Sequence, residues 1–452
     1  MGHYLEDMCS YLSKCSFDDL PEEAVLRAKE VLADSIAVIA AGAQEEEVKA
    51  LMARIVPSGV KGVATIIGTP ARTEPSKAAL INGTAGTFLE LDEGNQFGRG
   101  HPGIHVMPAA LAVSEAMGFS GRDFLTALVL GYEVGTRIGI ACKLRMSMHP
   151  HGTWGTVGAA VAVGKLMGYS EASLKEIINI SSSLGLATSR RTMLEGGTVR
   201  NVYAGVSGSM GILANDLAQS GFTGEADGLG TVYGSVVSDS FDGKAMVEGL
   251  GQRFEIARNY FKRHACCRYN HGSLDALENI MARRRDNPIR PEDIEKVEVE
   301  TYSLAAQLCD QEPTNPLAAK FSIPFAMATF IVHGQAGIEC FKPEAVKDPL
   351  TRALAGKVSV VEDPKLTAMM PGRRPSRVRL LLSSGEKLEA ETWMNKGDFE
   401  DPYSAADLED KYHGLADPIW GRKLAEELRS RVMVFEDVKD VNELTSLIAP
   451  LG

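Results

Sequence analysis

The chain has 452 residues, 44% hydrophobic and 23% charged, with a formal net charge of -12. That length accommodates two domains with ample core, the composition excludes a disordered chain, and the acidic balance argues against nucleic acid, which needs a basic footprint. No run approaches the roughly 18 apolar residues of a membrane helix, no basic-then-apolar signal opens the chain, and seven scattered cysteines form no disulfide framework, so a cytoplasmic protein away from membranes is expected.

From Pro21 to Ala41 the apolar positions Val25, Ala28, Val31, Leu32, Ile36 and Ile39 recur at helical spacing, with proline at the start and Gly42 at the end. A short β-prone run follows at 62–68. A helix of small residues from Ser76 then delivers the stretch Glu90-Leu-Asp-Glu-Gly-Asn-Gln-Phe-Gly-Arg-Gly-His-Pro-Gly103. Helical periods continue over 107–118, 122–140, 154–168, 173–186 and 202–218. Near Arg290 the pattern changes to strict alternation, at Lys296 to Tyr302 and again at Arg377 to Leu382. A Ser-Ser-Gly-Glu turn joins the latter run to Lys387 through Trp393 as a hairpin. Residues 357–361 read as a further strand and 323–332 as an apolar helix, together an α+β unit with an antiparallel sheet. Beyond Tyr403 the helical period returns, with Leu408, Tyr412, Leu415, Leu424 and Leu428 on its apolar face.

The polar motifs gather in loops. Glu90 to Gly103 packs three carboxylates, Arg99 and His101 among four glycines, which is site composition rather than core composition. Six of the nine histidines fall in pairs: His101 with His105, His149 with His151, His264 with His271. The segment His149-Pro-His-Gly-Thr-Trp-Gly155 precedes a helix of small residues. Arg200 lies in a glycine-containing segment, where a guanidinium fork suits a carboxylate. Tyr203 follows as a candidate proton donor, and Lys262 through His271 concentrates basic and titratable groups, including Arg268. Gly228-Leu-Gly-Thr-Val-Tyr-Gly234 misses the dinucleotide spacing, and no phosphate loop occurs. His101 and His105 have a metal-like spacing, but the Pro-Gly insert spoils a shared helical face, so no metal is expected.

Taken together, these segments resemble the MmgE/PrpD family, which includes 2-methylcitrate dehydratase, cis-aconitate decarboxylase and iminodisuccinate epimerase. The family's acidic stretch leading to His-Pro is similar to Glu90-Leu-Asp-Glu93 with His101-Pro102. Its His-Pro-x-x-x-x-Gly element resembles 149–155, its lysine before a cysteine-rich, histidine-ended stretch resembles Lys262 to His271, and its Ala-Lys-Phe-Ser element resembles 319–322. Gly397-Asp-Phe-Glu-Asp-Pro402 with Lys411-Tyr412 resembles its C-terminal signature. The resemblance implies a mainly α fold: a large all-helical domain built from both chain ends, here 1–255 and 401–452, and an inserted α+β lid with an antiparallel sheet, here 256–400. It further implies a homodimer that works without metal or organic cofactor on a small anionic polycarboxylate, with an interdomain active site.

On that basis the catalytic candidates are His101, His149, Lys262, Glu90 and Asp92. The binding candidates are Arg200, Tyr203, Arg99, His151, Arg268 and His271. Four positions depart from the family pattern: Arg200 stands for a lysine, Tyr203 for a histidine, Gly94 for a threonine or serine, and Glu90 for an aspartate. The expected reaction is dehydration of a small hydroxy-polycarboxylate through a carbanion-like centre beside a carboxylate. Epimerisation and decarboxylation are the alternatives, and a non-catalytic ligand- or metal-binding protein is the remote one.

Overall fold

The computed structural model describes residues 4–56 and 62–449. It is mainly α-helical with small sheets, and it divides into two compact units. One comprises the described residues up to Arg190, Val199–Tyr260 and the chain from Ser404 onward; the other comprises Arg191–Thr198 and Phe261–Tyr403.

The first unit is a helical assembly around Pro75–Phe88, Pro102–Met117, Gly121–Ala141, Gly155–Leu166 and Tyr203–Gln219. Their small residues let backbones approach without intervening side chains. A Cβ on Gly83 would lie 2.6 Å from the Cα of Gly205, and one on Gly131 would lie 2.6 Å from the carbonyl oxygen of Gly158. The helix Ala405–Trp420, capped by Ser404 accepting from the amide of Asp407, packs against Glu22–Gly42, which is how the C-terminal segment rejoins the first unit.

Helix Gly121–Ala141 is long and apolar enough to cross a membrane by composition, and 94% of its apolar window is buried within the fold. It also buries the Glu133–Arg137 ion pair at 2.6 Å, as a core helix does. Boundaries differ from the sequence reading in places, as where the helix expected over 173–186 spans Glu171–Ser182. The helix expected from Met107 begins at Pro102, because Pro108 looks like a helix start yet is carried inside, at the cost of the hydrogen bond it would donate to Ile104.

The second unit holds a four-stranded sheet in the order Lys387–Thr392, Ser376–Leu382, Ile294–Thr301, Val358–Glu362. The hairpin forms as read, with Gly385 at φ 83° in its turn. The sheet is mixed rather than purely antiparallel, since Val358–Glu362 pairs parallel to Ile294–Thr301. A chain excursion that includes the helix Ile323–His333 separates those two strands, the kind of crossover that parallel pairing requires. Val378, Leu380 and Leu382 face the core while Arg377 and Arg379 pair with Glu300, Glu389 and Glu391 on the other face.

These contacts lead to opposite expectations for two glycines. A Cβ at Gly205 would lie 2.0 Å from the carbonyl oxygen of Leu80, whereas Gly414 is exposed on its helix with open space around it. Gly205→Ala is expected to lower stability by about 1–3 kcal/mol through overpacking, and Gly414→Ala to raise it by up to about 1 kcal/mol through helix propensity. Thermal and urea melts of the two variants check both signs.

Candidate active site

The stretch 90–103 is folded by its own polar groups. The side chain of Asn95 accepts from the amides of Phe97 and Gly98, both at 2.9 Å, and its backbone pairs with Gly100. Arg99 takes a left-handed conformation at φ 56° and donates to the carbonyls of Gly139 and Cys142 at 3.2 and 2.7 Å. Its guanidinium therefore fastens the loop to the end of helix Gly121–Ala141, and the structure does not bring it to the other candidates.

His101 caps the helix Pro102–Met117. Its Nδ1 lies 2.7 Å from the carbonyl oxygen of Glu93 and 3.0 Å from the carboxylate of Asp92. The carbonyl acceptor places the hydrogen on Nδ1, which leaves Nε2 to take up a proton. Glu93 supports the same corner with its side chain, accepting from the amide of Gly103 at 2.7 Å and from the hydroxyl of Tyr132 at 2.9 Å. Burial pushes the Glu93 carboxyl up to about 8.

Three further imidazoles stand beside His101. His105 is saturated: Nδ1 donates to the carbonyl of His101 at 2.7 Å and Nε2 accepts from the amide of Gly152 at 3.2 Å. Burial pushes it down to about 4, and it serves to tie the two histidine segments together. His149 accepts from the amide of His151 through Nδ1 at 3.1 Å, so its hydrogen is on Nε2. His151 lies at the centre, its ring 4.6, 4.9 and 5.0 Å from the rings of His101, His105 and His149. Burial first, and the Arg200 charge second, hold both His149 and His151 well below their ordinary values, so both are neutral.

Arg200 sits in the short turn Thr198–Val202 that leads into helix Tyr203–Gln219. Its guanidinium forms an ion pair with Glu90, both side chains being 1% exposed, and its Nη2 approaches Nε2 of His151 at 3.4 Å. Glu90 itself is left-handed at φ 56°, a conformation that costs a non-glycine residue about 1 kcal/mol or more and that the pairing holds in place. The ring of Tyr203 lies 6.3 Å from that of His149. Thus Glu90, Asp92, His101, His149, His151, Arg200 and Tyr203 come together in the first unit.

Asp92, His101 and His151 also offer ligand atoms within 4.8 Å of one another, the spacing a divalent ion needs. Against that use, Nδ1 of His101 already donates to the carbonyl oxygen of Glu93, and the Arg200 cation stands beside His151. The arrangement is one for moving protons between hydrogen-bonded groups.

Lys262, Arg268 and His271 belong to the second unit. Lys262 is fully buried. Arg268 pairs with Asp398 at 2.6 Å, donates to the carbonyl of Lys396 at 3.0 Å, and meets Nδ1 of His271 at 3.0 Å. Nε2 of His271 faces the carbonyl of Cys266 at 3.4 Å, so Arg268 and His271 stitch the start of their unit to its end. The sequence reading did not single out Tyr132 or the supporting role of Glu93. Glu93 was visible as a third carboxylate in a glycine-rich loop, whereas a tyrosine in an apolar helix carries no such signal.

A model of the MmgE/PrpD N-terminal domain matches residues 6–242, and one of the MmgE/PrpD C-terminal domain matches residues 264–437. The chain is similar to a cis-aconitate decarboxylase-like protein of Aspergillus oryzae, 25% identical with 99% of this chain and 98% of the relative covered. It is likewise similar to a cis-aconitate decarboxylase of Aspergillus terreus, at 25% identity over 98% of this chain and 95% of the relative. The cis-aconitate decarboxylase of Homo sapiens is 24% identical over 95% of this chain and 91% of its own.

Glu93 makes the corner under His101 sensitive to pH. A carboxyl at about 8 in the fold and near 4.5 when unfolded keeps its proton longer in the native state. Its contribution therefore erodes stability as pH rises through the window from about 4.5 to 8. Glu93→Gln removes that titration and retains the shape. Its stability relative to wild type is expected to increase from pH 5 to pH 8.5, as measured by urea denaturation at each pH; a pH-independent difference would contradict the assignment.

Proposed function

Because the chain belongs to the MmgE/PrpD family, we propose that it is a lyase for a small polycarboxylate, in which His101 carries the proton at a carbon next to a carboxylate. The observation behind this reading is the pairing of Asp92 with Nδ1 of His101 at 3.0 Å. The Glu93 carbonyl at Nδ1 fixes the tautomer with Nε2 open, and the nearby carboxylate steadies the imidazolium once a proton has been taken up. The neighbouring imidazoles stay neutral, so His149 offers an Nε2–H as an uncharged donor. Tyr203, against its ring, supplies a hydroxyl.

Dehydration of a hydroxy-polycarboxylate uses these parts in a simple order. Nε2 of His101 removes the proton α to a carboxylate, and the electron pair spreads onto that carboxylate. Hydroxide then leaves from the adjacent carbon, assisted by the donors at His149 and Tyr203, and the carbon–carbon double bond forms. The proton held on His101 is later lost to water. Donors positioned before the charge develops are typically the largest contribution to such a rate.

The relatives' names favour a second reading, loss of carbon dioxide. Here the carbon–carbon bond to a carboxylate breaks first, and the imidazolium of His101 then delivers its proton to the carbanion. Both readings are lyase reactions through the same kind of intermediate, and they differ in whether His101 begins as base or as acid.

His101→Ala is expected to lower kcat about 10²- to 10⁴-fold on the true substrate, the usual worth of a positioned acid or base. Proton NMR in deuterated water, run on hydroxy-polycarboxylates and unsaturated tricarboxylates, checks the reaction type at the same time. A new alkene reports dehydration, carbon dioxide release reports decarboxylation, and exchange without a new product reports epimerisation. Full turnover by His101→Ala would remove His101 from the mechanism.

A further inference from the structure

We propose that Lys411, on the returning C-terminal helix, is a positioning residue for the site: it holds the turn from Glu90 to Asp92 so that the groups facing Nδ1 of His101 stay in place. The inference rests on the lyase reading for the role of His101, and on the contacts of Lys411 for its content.

The ammonium of Lys411 donates to the carbonyl oxygen of Leu91 at 2.8 Å and pairs with Asp34 of helix Glu22–Gly42 at 2.5 Å. The lysine and aspartate side chains are 11% and 8% exposed, so the contact is made largely out of water, where a charged donor holds a carbonyl more firmly than a neutral one does. Leu91 stands between two residues of the site. Glu90 before it pairs with Arg200, and Asp92 after it lies 3.0 Å from Nδ1 of His101. The hydrogen on that nitrogen goes to the carbonyl oxygen of Glu93, one residue further on, at 2.7 Å. Leu91 has an apolar side chain and cannot fasten the turn itself. Its carbonyl and the amide of Asp92 share one rigid peptide plane, so holding the oxygen fixes the plane from which Asp92 and Glu93 depart.

Docking of the C-terminal segment has other contacts to rely on. Lys29 of helix Glu22–Gly42 pairs with Glu436 at 2.8 Å, the amide of Gly121 donates to the carbonyl of Val438 at 2.9 Å, and helix Ala405–Trp420 packs against Glu22–Gly42. Lys411 differs from these in bonding the acidic turn as well, 320 positions back along the chain. All the participants lie in the first unit. The C-terminal helix is thereby a working part of the site as well as a support for it.

The test combines Lys411→Met with Asp34→Asn, which removes the donor together with the carboxylate that its loss would strand. Protein grown with isotopically labelled histidine reports the ring N–H of His101 by NMR, assigned by its disappearance in His101→Ala. In the double variant that proton is expected to move upfield and to exchange with water faster than in wild type. The ring N–H of His105, which donates to the carbonyl of His101 at the head of the helix, is expected to stay where it is. Turnover of the acid identified by the deuterated-water screen is expected to fall about tenfold to a hundredfold, the worth of a small misplacement at the reacting groups. Lys411→Arg keeps a charged donor, guards against a folding defect, and is expected to recover both readouts in part. An unmoved His101 signal, an equal movement of His105, or full turnover by the double variant where His101→Ala has none, overturns the proposal. A His101 signal that moves while His101→Ala keeps full turnover removes the lyase reading and leaves this inference standing; an unmoved signal with an inactive His101→Ala does the reverse.

Discussion

An ion pair sealed from water, between Arg200 and Glu90, sets the electrical conditions for everything beside it. Its cation adds to burial in keeping His149 and His151 neutral, and its nearness to Nε2 of His151 settles which nitrogen of that ring carries the hydrogen. Its anion is carried by Glu90, whose backbone is left-handed at φ 56°. The acidic stretch reaches Asp92 and Glu93 immediately after that residue, and from there the chain turns to present His101 at the head of a helix. The left-handed Glu90 and the tautomer of His151 thus meet at one contact between residues 110 positions apart.

Helices and hairpin were legible in the sequence because their signals are periodic and local. Gly121–Ala141 and Tyr203–Gln219 fall within a residue or so of the spans their apolar spacing predicts. What failed to show were features decided by distant partners. Pro108 mimics a helix start, and only the surrounding packing explains its place inside one. The parallel pairing of Val358–Glu362 depends on where the chain returns, which alternation along a strand does not encode.

The same division runs through the site. Paired histidines and arginines in glycine-rich loops mark polar segments that side chains must converge on, and seven of the named residues do converge in the first unit. Residue type does not say which partner claims a cation, however. Arg99 is taken by two carbonyls of a helix end, and Arg268 by Asp398, which lies 130 positions along the chain. Nor does sequence reveal which imidazole is already saturated. His105 has the same neighbours in sequence as a candidate ligand, and only its two hydrogen bonds show that it is a strut.

The glycine contacts between helices have a mechanical meaning. Where Gly83 meets Gly205 and Gly131 meets Gly158, main chain rests on main chain with no side chain between them to bend or change rotamer. Such a joint has almost no compliance, so the helix that follows Arg200 and the helix that follows His151 rest on stiff supports. In a frame of that kind, fitting a larger or smaller ligand by sliding helices apart is closed off. Adjustment falls to the short loop segments around Glu90 and His151, which lie outside those helix crossings.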